Sequence, residues 1–149
     1  MNRLPKKTLL IVEDNDDDAN LMKRAIGTIG LDLRIQLVSN GQEAIDYLSG
    51  NREYTNRDMY PSPDLVFLDL KMPRLSGFDV LRWIRHTATT RRLIVIVLTS
   101  SNQPSDILQA YELGANSYVV KPSTFAELLE FCKALSAYWL TFNRCHDSN

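Results

Sequence analysis

The chain has little of what would place it outside the cell or inside a membrane. Its two cysteines, Cys132 and Cys145, lack the CxxC spacing of a metal or redox site and are too few for the disulfide scaffold of a small secreted domain. A reducing, cytoplasmic setting is therefore expected. No apolar run approaches the roughly 18 residues that a membrane helix requires. The basic start, Met1–Lys7, leads into Thr8–Val12, which Glu13 and Asp14 cut short at once, so neither a signal peptide nor an anchor is expected. An excess of one charge is also missing. A net charge of −1, with only the basic pairs Lys6–Lys7 and Arg91–Arg92, offers no footprint for nucleic acid. There are no repeats and no low-complexity tract. What remains is one domain's length, 149 residues, enough to bury roughly 68–70% of the unfolded surface without staples.

Five short apolar runs recur along it: Leu9–Val12, Leu33–Val38, Leu65–Leu68, Leu93–Leu98 and Tyr118–Val120. Amphipathic segments fill the intervals, a rhythm that predicts alternating β and α. Three runs are continuously apolar, as strands buried on both faces of a parallel sheet should be. Leu33, Ile35 and Leu37 instead alternate with Arg34, Gln36 and Val38, so the second strand is predicted at an edge. Helical stripes follow at Leu21, Met22, Ala25, Ile26 and Ile29; at Ala44, Ile45, Tyr47 and Leu48; at Val80, Leu81 and Ile84; and at Ile107, Leu108, Tyr111 and Leu113. Gly30 and Gly114 sit where C-caps belong. Thr124-Phe-Ala-Glu127 reads as a capping box opening a fifth helix. Gly50–Pro63 is the one long irregular connection, read as a surface loop. The fold class is α/β, (βα)5.

In an open parallel sheet, ligands bind beyond the carboxyl ends of the strands where the strand order reverses. The residues just after the runs are Glu13 and Asp14, then Asp69, then Thr99 and Ser100, then Lys121. Three carboxylates brought together repel one another and raise one another's pKa unless a cation sits among them. Oxygen ligands without histidine or thiolate favour Mg2+. Asp69 then serves as ligand and as nucleophile toward phosphorus, giving an acyl phosphate whose developing charge the metal neutralises. Lys121 supplies a second positive charge, and Thr99 a hydroxyl donor for a phosphoryl oxygen.

Each residue alone has a plainer reading. Asp14 could cap the first helix, with Asp16, Asp17 and Asp18 complementing its dipole. Asp14, Asp16 and Asp18 mimic the first, third and fifth positions of an EF-hand loop, but Ala19 stands where the turn demands Gly and Ala25 where the bidentate Glu belongs. Asp69 could be a turn residue, and Thr99 and Lys121 are ordinary at strand ends. It is the joint pattern that decides.

That pattern resembles the receiver domains of two-component response regulators. Glu13-Asp14 matches their acidic pair, Asp69-Leu-Lys-Met-Pro-Arg-Leu-Ser-Gly77 their phosphoacceptor segment, Thr99 their strand-4 hydroxyl and Lys121-Pro122 their strand-5 Lys-Pro. The resemblance spans about Thr8 to Leu140. It implies a flavodoxin-like, doubly wound parallel sheet of order 2-1-3-4-5, and Mg2+-dependent phosphorylation of Asp69 by a histidine kinase. It further implies a metal contact from the Lys71 backbone carbonyl, a cis Lys121–Pro122 peptide, and Tyr118 as a switch aromatic reporting the state of Asp69. Glu13 stands where many members have Asp, its longer side chain suiting a water-mediated metal contact. The chain is thus expected to be a signalling domain rather than an enzyme: an aspartyl-phosphatase would want a second Asp where Lys71 stands. A flavin carrier would want phosphate-cradling hydroxyls and glycines where the acidic pair stands. A degenerate receiver, working as an interaction module without phosphate, would lack Asp14, Asp69 or Lys121.

The whole chain, 1–149, is expected to be a single receiver domain with a helical extension from about 136 to 149. A fifth helix running from Thr124 to Phe142 would span about 28 Å against about 17 Å for a five-residue strand. It carries two apolar stripes, Phe125, Leu128, Leu129, Cys132 and Leu135 on one side, and Phe131, Ala134, Tyr138 and Phe142 on the other. The second stripe, with Trp139, predicts a partner surface. Together with the Gly50–Pro63 loop, this tail resembles the stand-alone receivers paired with cyanobacterial phytochromes, which implies a phytochrome kinase as phosphodonor and a homodimer.

Overall fold

The fold was examined in a computed structural model that describes residues 6–144; Cys145 and the rest of the expected extension beyond residue 144 lie outside the described residues. Five strands, β1 (Lys7–Val12), β2 (Leu33–Val38), β3 (Leu65–Leu68), β4 (Ile94–Thr99) and β5 (Ser117–Val120), alternate with helices α1 (Asp16–Thr28), α2 (Gly41–Ser49), α3 (Gly77–His86), α4 (Pro104–Glu112) and α5 (Phe125–Leu135). All strand pairs are parallel and the order is β2-β1-β3-β4-β5. The (βα)5 class and the edge position of the second strand are as the apolar patterns predict, and the flavodoxin-like order is the one the receiver resemblance implies. No helix among the described residues is long and apolar enough to cross a membrane.

Because strand side chains alternate between faces, one continuous run supplies two cores. Leu10, Val12, Val66, Leu68, Val95 and Val97 meet α2 and α3 through Ala44, Tyr47, Val80, Leu81 and Ile84. Leu9, Ile11, Leu65, Phe67, Ile96 and Leu98 meet α1 and α5 through Met22, Ala25, Ile26, Leu128, Cys132 and Leu135. Gly30 and Gly114 follow the ends of α1 and α4 with positive φ, as the cap positions require. At α5, Thr124 accepts from the Glu127 amide, but the Glu127 carboxylate turns to Ser123 rather than closing a box. The reciprocal box is at Ser76 and Asp79, opening α3.

Three expectations need correction. Helix α4 buries only Ala110, leaving Leu108 and Tyr111 exposed, because this helix lies on the β5 edge of the sheet, where little of the sheet remains to cover it. Gly50–Pro63 is the surface loop expected, and an ordered one. It contains a 3-10 turn, Arg52–Tyr54, and packs Tyr60 edge-on against Tyr47 and Tyr54, with the Tyr54 ring tilted on Tyr47, while Arg57 donates to the carbonyls of Tyr47, Leu48 and Tyr60. The fifth helix does run to Phe142, but after Leu135 it widens into a π-helix, Ser136–Phe142, with the Asn143 amide reaching back to Tyr138. Finally, no cis peptide occurs among the described residues. Lys121–Pro122 is trans, the isomer that even an X-Pro amide favours by about 0.5–1 kcal/mol, and Lys121 reaches the acidic cluster from it.

One close approach fixes the geometry of the rim. The Gly77 amide donates to the Leu70 carbonyl, and a Cβ on Gly77 would sit 2.1 Å from the Asp69 carbonyl oxygen and 2.7 Å from the Leu70 Cα. Only hydrogen fits there. Gly77→Ala is expected to lower stability by about 1–3 kcal/mol, the usual range for overpacking. Gly27→Ala, in α1 with nothing within 4 Å of the new methyl, should raise it by about 0.5–1 kcal/mol. Urea midpoints at constant m-value check both signs.

Candidate functional site

The strand ends converge because adjacent parallel strands are in register. β3 pairs with β1 and β4 through Val12, Leu68 and Val97, so Glu13, Asp69 and Thr99 emerge at nearly one level. Backbone bonds extend the ladder past the strands: the Glu13 amide donates to Val38, the Asp69 amide to Val12 and the Lys121 amide to Thr99. Glu13, Asp69 and Thr99 are buried. Asp14 is exposed, and helix α1 is capped by Asn15, whose side chain accepts from Asp18. Asp14 is therefore released from capping. Glu13, Asp14 and Asp69 each offer a carboxylate oxygen, and these oxygens lie within 4.8 Å of one another.

Lys121 stands among these groups. Its Nζ lies 2.7 Å from Glu13 Oε2, 2.8 Å from Asp18 Oδ2 and 3.6 Å from Asp69 Oδ2. Burial alone would push this ammonium's pKa down, but hydrogen bonds to Asp18 and Glu13 and the charges of Asp69 and Glu13 outweigh it and hold the pKa above its ordinary value. Glu13 is displaced the other way for a carboxylate. Burial, with some help from the charge of Asp69 and against hydrogen bonds from Lys121 and the Asn15 amide, carries it from 4.5 up to about 7. One ammonium does not neutralise this many carboxylates, so the oxygen set fits a hard divalent cation.

Thr99 is fully buried, and its Oγ1 is the one buried side-chain nitrogen or oxygen among the described residues without a hydrogen-bond partner. Such a group costs about 1–3 kcal/mol, and an acceptor arriving at the rim would satisfy it. Ser100 is exposed beside it. Tyr118 is half-buried, and its hydroxyl donates to the Ser101 carbonyl at 2.8 Å; burial raises its pKa, with the Ser101 side chain opposing.

Two groups at the rim escaped the sequence reading. Asp18, which reads from sequence only as a helix-dipole residue, is a direct partner of Lys121. Lys71 was noted for its carbonyl and for what it excludes. Its amide donates to Asp69 Oδ1 at 3.3 Å, and its Nζ pairs with Asp106 Oδ2 at 3.0 Å. Asp106 also accepts from Ser101 Oγ at 2.6 Å, and these two bonds hold its carboxyl below the usual range. No sequence spacing announces a contact between a β3–α3 loop and the first turn of α4.

The aromatic tail divides. Phe131 lies 5.8 Å from Phe67 between ring centres, and with Trp139 it packs on the core formed by α1, α5 and the sheet. Tyr138 and Phe142 stay exposed at 55% and 74%.

The Glu13 value has a pH consequence. In the metal-free chain its carboxyl holds a proton more tightly folded than unfolded, so its contribution to stability is present below about pH 4.5 and lost as pH rises through about 7. Cation binding requires the deprotonated form. Divalent-cation affinity should therefore weaken as pH falls below about 7, and binding near neutrality should release protons. Calorimetry in two buffers of different ionisation enthalpy measures that release; in Glu13→Gln it should shrink.

A family model, "Response regulator receiver domain", matches residues 9–133. The probable methanogenesis regulatory protein FilR2 of Methanothrix harundinacea is 37% identical, over 91% of this chain and 85% of its own. Response regulator Rcp1 of Synechocystis is 32% identical, over 91% and 90%. The crystal structure of its Mn2+-bound form has a TM-score of 0.84 at 30% identity, covering 95% of this chain and 99% of that one. The crystal structure of the phosphorylated cyanobacterial phytochrome response regulator RcpA has a TM-score of 0.88 at 31% identity, covering 96% and 100%. The family model thus runs from inside β1 almost to the end of α5, the whole framework that builds the rim, and the chain is a member of the response regulator receiver domain family of two-component signalling.

Proposed function

We propose that this receiver accepts a phosphoryl group from a histidine kinase on Asp69, with Mg2+ as cofactor, and signals through protein–protein contacts. The observation that carries the reading is the orphaned hydroxyl of Thr99, one strand over from a carboxylate that already faces an ammonium. Glu13, Asp14 and Asp69, with the Lys71 carbonyl, would hold the ion, and when bound it would offset negative charge on the phosphoryl oxygens. The chain's own part is nucleophilic attack. An Asp69 oxygen bonds to phosphorus, the bond from phosphorus to the donor's imidazole nitrogen breaks, and an acyl phosphate remains on the protein. Thr99 Oγ1 donates to one phosphoryl oxygen and Lys121 Nζ to another.

The added charge of about −1.5 to −2 would draw Thr99 toward Asp69 and loosen the space behind it, so that Tyr118 changes rotamer and reports phosphorylation at the surface. The likeness to RcpA, a phytochrome response regulator, supports a phytochrome kinase as donor. We read residues 1–149 as one cytoplasmic receiver unit extended beyond α5, with a homodimer surface at Tyr138 and Phe142; Phe131 and Trp139 contribute by bracing that segment.

Incubated with acetyl phosphate and Mg2+, the wild-type chain should gain one phosphoryl mass and Asp69→Asn none. Equal masses would overturn the reading. With Mg2+ and fluoroberyllate, a phosphoryl mimic, the Tyr118 ring should move, and an unchanged rotamer would refute the coupling. Sedimentation should show mass action toward a dimer, weakened at least several-fold by Phe142→Ala; a monomer at every concentration would remove the dimer surface.

A further inference from the structure

If Lys121 were simply the counter-ion of Asp69, its ammonium would lie against that carboxylate. It does not. Lys121 has three donors, and the two short contacts go to Glu13 at 2.7 Å and Asp18 at 2.8 Å, while Asp69 at 3.6 Å is beyond hydrogen-bond reach. Glu13 leaves the end of β1 and Asp18 stands in the first turn of α1, so both hold the lysine from the α1 side. Asp18 is itself fixed, its amide donating to the Asn15 cap at 3.0 Å. Beside the three charged groups, and lined by them together with Ile11, Met22 and Pro122, lies a cavity of about 60 Å³, so the lysine is not packed tightly on that side.

We propose that Asp18 is a positioning residue that holds the Lys121 ammonium off Asp69 until a phosphoryl group claims it. The proposal rests on Asp69 being the phosphoacceptor. Asp18 offers Lys121 one negative charge from a half-exposed position, whereas the phosphoryl group offers about −1.5 to −2. The phosphoryl group therefore wins the lysine, but Asp18 sets how much of that attraction is used in detaching it. An ion pair with one partner this exposed corresponds to a factor of about 1.4–5 in an equilibrium constant. Asp18 thus acts as a threshold on the modified state, separate from the residues that bind the phosphoryl group.

The test is fluoroberyllate affinity in the presence of Mg2+, measured by calorimetry on the full chain. Asp18→Asn keeps the side chain's shape and removes its charge; affinity should rise about threefold, while Asp18→Glu, which restores the charge, should stay near wild type. The discriminating measurement is the double-mutant cycle. In a Lys121→Met background, itself weaker in binding, Asp18→Asn should change nothing. Unaltered affinity of Asp18→Asn overturns the proposal. An equal gain in the Lys121→Met background also overturns it, since Asp18 would then act only as a repelling charge. Wild-type chain that binds no fluoroberyllate at all would sink the phosphoacceptor reading itself. Wild-type binding with a flat Asp18 series would sink only the role given to Asp18.

Discussion

Lys121 carries the positive charge that lets Glu13, Asp18 and Asp69 stand together at the carboxyl ends of β1 and β3 and the start of α1. Two like charges about 4 Å apart repel by about 4 kcal/mol at an effective dielectric constant of 20, so the cluster is not tolerable without a cation. One ammonium offsets part of this. Burial, with some help from the charge of Asp69, carries Glu13 to about pKa 7, and three carboxylate oxygens lie close enough to share one ion. The fit of this oxygen set to a divalent cation follows from the charge that one ammonium leaves uncompensated. The sheet matters because parallel register delivers these side chains to one level.

Beyond the charged cluster, the rim is tied to the far side of the domain by a short chain of polar contacts. Lys71 follows Asp69 by two residues and pairs with Asp106 at the start of α4; Asp106 accepts from Ser101 Oγ; the Ser101 carbonyl accepts from Tyr118. The Tyr111 hydroxyl in turn accepts from the Tyr118 amide. Loop β3–α3, loop β4–α4, α4 and β5 are therefore bonded to one another next to Thr99 Oγ1, the one buried side-chain nitrogen or oxygen among the described residues with nothing to bond. Ser101, two residues after Thr99, anchors this network. Leu108 and Tyr111, exposed on α4, lie at its outer end.

Much of this was legible because local pattern and global fold agree. The apolar runs had strand length, the edge strand alternated, and the polar residues that closed each run fell where a parallel sheet gathers them. Glu13, Asp14, Asp69, Thr99 and Lys121 could be named from that rule alone. What was not legible depends on contacts between distant segments. The Ile107, Leu108, Tyr111 and Leu113 stripe has helical spacing, but spacing cannot show that α4 would cover a sheet edge and bury only Ala110. Tyr54 and Tyr60 read as loop residues until they are seen packing on each other and on Tyr47 of α2. Phe131 and Trp139 read as partner surface until the π-helical turn places Trp139 with Leu140 on the core. Asp18 was hidden among four aspartates in five positions, any of which serves a helix dipole equally well.

The most direct test of the account is a crystal structure of the chain soaked with Mg2+ and fluoroberyllate. The ion should be bound by Glu13, Asp14 and Asp69, with the mimic on an Asp69 oxygen, Thr99 Oγ1 hydrogen-bonded to it, and Lys121 Nζ moved from Asp18 onto it. An ion seated elsewhere, with Thr99 still unpartnered and Lys121 still on Asp18, would contradict the account.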